Sequence, residues 1–265
     1  MAAGWLTQYR FVVDAFVAGI FASVACGLGA LPLLVRRLQL EKKVGLGYAF
    51  AGGLMFSASV YNLLLPAFTL GMSGQKLVPV LKVLLGMAAG AGLIRWVETN
   101  LTPERLDHAA LRSFGSRTGA LVFLAMTFHS IPEGVAVGVG YGAQTHLPAA
   151  QSFGRYIALA IAFHNIPEGL AVALPLRLKG ASILRCFLLA TVTSLPQPVA
   201  AVPASLLVWL FEPLMLPLLG FAAGAMMYLV LVELVPEALE HHGRSETAWF
   251  FLGGFGLMAL VQVGL

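Results

Sequence analysis

Two histidines and two glutamates stand where hydrocarbon side chains would be expected. The stretches "TFHSIPEGVAVGVG" (127–140) and "AFHNIPEGLAVALP" (162–175) pair His129 with Glu133 and His164 with Glu168. On a helix, residues four apart share a face, one turn from each other. An ionisable group at a membrane-helix centre costs on the order of 2.5–3.5 kcal/mol on insertion scales. Two such pairs need a compensating charge. Two carboxylates beside two neutral imidazoles carry two negative charges, and one divalent cation neutralises them while accepting N and O donors. Protons compete for the same atoms, so low pH should weaken metal binding. A polar cluster that only sets helix register explains one pair as well; HxxPEG occurring twice, each time mid-segment, favours a metal.

The prolines add to this. Pro132 and Pro167 each follow the histidine by three. Proline cannot donate to the carbonyl four residues back, which frees the carbonyls of Phe128 and Phe163 and predicts kinked helices, as in transporter helices that line a cavity. Gly134 and Gly169 are expected to keep the wall beside the glutamates thin.

These motifs need long apolar elements around them. The chain of 265 residues is 59% hydrophobic and only 11% charged, against about 25% charged in soluble domains, and its mean hydropathy is +0.87. A span takes about 20 apolar residues. Eight are predicted, at 11–35, 46–68, 77–97, 118–142, 155–176, 186–210, 214–236 and 247–264. The fold expected is therefore all-α, a polytopic transmembrane helix bundle forming one domain over 1–265. A polar loop follows Trp96, with an interfacial turn after Pro103. Of the 16 Lys and Arg residues, all but Arg10, Lys76, Lys82 and Arg155 fall after odd-numbered spans. The positive-inside rule then puts both termini on the non-cytosolic side. The net charge of +4 reports orientation and gives no reason to expect nucleic acid. Cys26 and Cys186 are expected to be buried thiols. "MAAGWLTQYR" lacks the basic start of a signal peptide. No transit peptide is visible, so a bacterial inner membrane is expected first and an organelle membrane second. Glycines four apart in "GMAAG" (86–90), "GVAVG" (134–138) and "GFAAG" (220–224) suit close helix contact and would allow a homodimer.

The chain resembles the ZIP family of divalent metal transporters over nearly its whole length. The resemblance rests on "AGGLMFSASVYNLLLPA", "HSIPEG", "HNIPEGLAVA", "TSLPQP" and "FAAGAMMYLVLVELVPEA". It implies a midplane site on helices four and five made of His129, Glu133, His164 and Glu168, with Asn165 and Met55 contributing. It implies a second metal position at Ser130, Asn165 and Gln197, and an exit relay of Glu233, Glu237 and His241. Ser, Asn and Gln carry no charge, so one tightly held metal is expected, with at most a weak second. Glu240 and His242 read as a solvated helix end, and His108 and His146 as ordinary loop residues. The implied cargo is zinc, with iron(II), manganese and cadmium also suited to these donors. Two rival readings are an intramembrane metal hydrolase, which lacks HExxH here, and a metal sensor, which lacks a soluble relay domain.

Overall fold

The computed structural model describes residues 8–35, 43–70, 77–100, 117–147 and 152–264. Eight helical units follow in order: α1 Arg10–Leu34, α2 Val44–Thr69, α3 Leu77–Asn100, α4 Arg117–Ala143, α5 Phe153–Leu178, α6 Ile183–Leu210, α7 Glu212–His241 and α8 Arg244–Val263. All but α4 meet the length and hydropathy of a membrane span over the described residues. The 27-residue α4 carries the first motif. At 1.5 Å per residue, units of 20 residues or more cover the ~30 Å hydrocarbon layer. The outer faces of α3 and α8 expose Leu81, Leu85, Trp249, Leu252 and Leu260, a surface that suits lipid. Arg36, Arg37, Lys42, Lys76, Arg105, His108, Arg112 and the turn expected after Pro103 lie outside the described residues. Cys26 and Cys186 are free, buried thiols.

Glycine decides how the helices pair. A Cβ on Gly90 would run into the Phe221 carbonyl, one on Gly86 into that of Pro217, and those on Gly220 and Gly224 into the carbonyls of Val83 and Met87. The small-residue faces of "GMAAG" and "GFAAG" therefore meet each other, α3 on α7. Gly53 and Gly254 join α2 to α8 in the same way, against the backbones of Phe251 and Phe50. "GVAVG" faces α6, with Gly134 at Gln197 and Gly138 at Ala201. Gly169 meets Cys26 of α1, and Gly29 meets Ile166 and Leu170 of α5. Backbones at this distance gain dispersion and give up side-chain volume. Two sets result: α1, α4, α5 and α6 interlock, as do the pairs α2–α8 and α3–α7. The three motifs are used inside the bundle. Gly134 and Gly169 serve helix contact rather than thinning a wall, which corrects the reading from spacing.

The two outer pairs are copies of one pattern. Phe50 accepts Gly254 as Phe221 accepts Gly90. In step with these, Met55 of α2 matches Met226 of α7. Both helices then loosen into a π segment, Ser59–Leu64 in α2 and Val230–Leu234 in α7. The chain enters α2 and α7 from opposite ends of the bundle, so the repeat is inverted, an arrangement that recurs in transporters around a central site.

α6 is not the continuous helix that hydropathy predicts. It breaks between Thr193 and Pro196, and Gln197 sits in the first turn of its second half. Pro196 and Pro198 remove two amide donors. Carbonyls at the break are met from other helices: the Ser130 hydroxyl donates to Thr193 O at 3.1 Å, and the Ser23 hydroxyl to Ser194 O at 2.7 Å.

Candidate metal centre

Glu133, His164 and Glu168 come together inside the bundle. One donor atom from each lies within 4.8 Å of the others. Glu133 and His164 are wholly buried and Glu168 nearly so. α4 continues through Pro132 and α5 through Pro167, so each proline sits beside the glutamate without ending the helix. His164 Nε2 is 3.3 Å from Glu133 Oε1. Gln197 donates from Nε2 to Glu133 Oε2, and its Oε1 accepts from Asn165 Nδ2 at 3.2 Å. Asn165 also donates to Ala22 O at 3.1 Å. A line of bonds thus runs from α1 through Asn165 and Gln197 and ends on one oxygen of Glu133.

Ser130, Asn165 and Gln197, expected as a second set of metal ligands, are all engaged in protein hydrogen bonds. Ser130 covers the break in α6; Asn165 and Gln197 orient Glu133. Glu168 Oε2, His164 Nδ1 and Asn165 Oδ1 are buried without a hydrogen-bond partner among the described residues. Buried polar atoms of this kind are costly unless something pairs with them. Two carboxylates and an imidazole can take a divalent cation in three-donor coordination and leave a position open.

His129 stands apart from this group. Its Nε2 lies 3.4 Å from Glu233 Oε2 of α7. Of the four motif residues, His129 alone is not in the group of donors within 4.8 Å. The π segment of α7 brings the Glu233 carboxylate to it. Glu98, at the end of α3, is within electrostatic range of both and accepts a hydrogen bond from the Tyr228 hydroxyl at 3.3 Å. Glu98 and Tyr228 escaped the reading of the sequence. Hydropathy predicts a loop after Trp96, whereas α3 extends to Asn100. Glu237 and His241 follow on α7, half exposed and 3.9 Å apart. Met55 is buried in α2, which packs against α5. His146 is no idle loop residue, since its Nε2 meets the carbonyls of Val208 and Trp209 at 3.0 and 3.1 Å, closing the end of α6.

Sequence comparison puts this geometry in context. The pattern of the ZIP zinc transporter family matches residues 102–262, which takes in both motifs, the broken α6 and the Glu233 segment. The chain belongs to the ZIP family. It is 36% identical to the zinc transporter GufA of Myxococcus xanthus over 257 residues, covering 94% of this chain and 98% of that one. It is 42% identical to zinc transporter ZIP11 of Xenopus tropicalis over 166 residues, 62% of this chain and 49% of that one. It is 31% identical to zinc transporter ZupT of Corynebacterium efficiens over 264 residues, 94% and 96% of the two chains. The chain spans about half the length of its animal relatives and nearly all of the bacterial ones. ZIP proteins are multi-pass membrane proteins and transporters rather than enzymes, which sets aside the hydrolase.

Proposed function

We propose that this ZIP protein carries a divalent metal, zinc in the first place, across the membrane into the cytosol. The observation that carries the reading is the buried group of Glu133, His164 and Glu168 within a bundle of apolar helices. Two negative charges at that depth call for a divalent cation. The relatives' names supply zinc, and the donor set also suits iron(II), manganese and cadmium. With both termini outside, as the positive residues indicate, α4 and α7 arrange the remaining groups in order. Metal bound by Glu133, His164 and Glu168 passes to His129 and Glu233, then to Glu237 and His241 at the cytosolic end. The whole chain acts as one transmembrane domain, in a bacterial inner membrane.

The test is metal uptake by the purified protein in proteoliposomes, across zinc, cadmium, iron(II) and manganese. Saturable uptake with zinc among the best substrates is expected. A folded protein that binds zinc and moves none of the four returns the sensor reading to first place. Glu133 and Glu168 supply the two charges that one divalent ion needs, and the neutral Ser130, Asn165 and Gln197 add none. Metal analysis after desalting should return one equivalent of zinc per chain, and two resistant equivalents would refute the single-site reading.

A further inference from the structure

We propose that Asn62 is a binding residue for the metal on the side of the bundle where α1 begins and α8 ends, a waypoint between bulk water and the central site. This rests on the transport reading above. Three observations converge on Asn62. It is 2% exposed, yet neither its amide nitrogen nor its amide oxygen has a hydrogen-bond partner among the described residues. An amide buried in this state is expensive unless a ligand or its water meets it. It lies in the π segment Ser59–Leu64, a distortion that recurs at functional sites. That segment packs against α7 and α5, the helix of His164 and Glu168.

The inverted repeat gives the third. Phe50, Gly53 and Met55 of α2 match Phe221, Gly224 and Met226 of α7, and the same register sets Asn62 against Glu233. Glu233 meets His129 on the far side of the centre. Each residue lies seven positions beyond its methionine, about 10 Å along the helix axis, in opposite directions. The two mark matched stations above and below the central group. They differ in charge. The amide oxygen of Asn62 can take one position on a partly hydrated cation, or accept from its water, without holding it by charge. The carboxylate of Glu233 holds more strongly. The outer station is therefore the weaker of the two, and the metal gradient sets the direction of net flow.

Zinc uptake into proteoliposomes tests this with Asn62→Leu and Asn62→Asp beside wild type, with bound zinc measured on each protein. Leucine fills the same space without donor atoms, and should raise the KM for zinc about fivefold, the worth of one lost polar contact, with kcat within twofold. Aspartate should lower the KM and slow turnover. Both should keep the wild-type zinc content, because the central group is intact. Wild-type KM in both variants, or loss of bound zinc from both, overturns the proposal. Wild type that binds zinc but transports none overturns the transport reading itself.

Discussion

Glu133→Gln should cut zinc uptake by about 100-fold or more while leaving the protein folded. Glutamine keeps the length and shape of the side chain and can still pair with the Gln197 amide, which donates to Glu133. His164 Nε2, now 3.3 Å from a carboxylate oxygen, would face an uncharged group. The loss is one of the two charges that balance the cation. Removing one partner of a buried charge pair costs about 3–5 kcal/mol, and 1.4 kcal/mol is a factor of ten. Glu168→Gln should behave alike, since Glu168 is the other charge and its Oε2 has no competing partner among the described residues. The measurement is initial uptake rate at fixed zinc, with thermal unfolding of each variant in detergent as the check on folding. Uptake within tenfold of wild type in both, at unchanged unfolding temperature, would place the cargo elsewhere.

The second large effect falls on assembly. Gly169→Ala should destabilise the bundle by about 1–3 kcal/mol, the usual cost of forcing an extra group into a filled contact. A Cβ there strikes the backbone of Cys26, and backbone cannot rotate aside as a side chain can. The reciprocal contact of Gly29 on Ile166 and Leu170 leaves α1 no room to retreat. Gly92→Ala supplies the contrast. A Cβ on Gly92 meets nothing within 4 Å, and alanine in a helix interior is better than glycine by roughly 0.5–1 kcal/mol. The two substitutions, identical on paper, should move the unfolding temperature in opposite directions. Equal shifts would mean that α1 and α5 do not touch at Gly169.

Much of this was readable from residue order. Apolar runs marked the helices, and HxxPEG marked the buried acids, because a charge inside hydrocarbon is conspicuous in one dimension. What stayed hidden depends on neighbours distant in sequence. Nothing near His129 shows that it turns to Glu233, more than a hundred residues further along the chain. Glu98 looked like the start of a loop because hydropathy falls there before the helix ends. The break in α6 was foreshadowed by the prolines of "TSLPQP", but an averaging window spreads two prolines over twenty apolar neighbours. The repeat was visible as "FAGG" and "FAAG" (50–53 and 221–224), and it becomes meaningful only once each is seen against its own glycine partner.

The division of the helices into two sets bears on how the protein could move. The hydrogen bonds described for Ser23, Ser130, Asn165, His164 and Gln197 all stay among α1, α4, α5 and α6, and that of Tyr228 stays between α3 and α7. The His129–Glu233 pair reaches from one set to the other. Glu98 of α3 also lies within electrostatic range of His129, and the segment of Asn62 packs on α5. So polar groups meet across the boundary at a few points among largely apolar helices, which can slip by exchanging one van der Waals neighbour for another. The boundary thus behaves as a greased joint with a chemical catch. On the transport reading proposed above, cargo arriving at His129 or Glu233 would compete for the atoms that fasten the catch, so the ion itself would be the key that releases the joint.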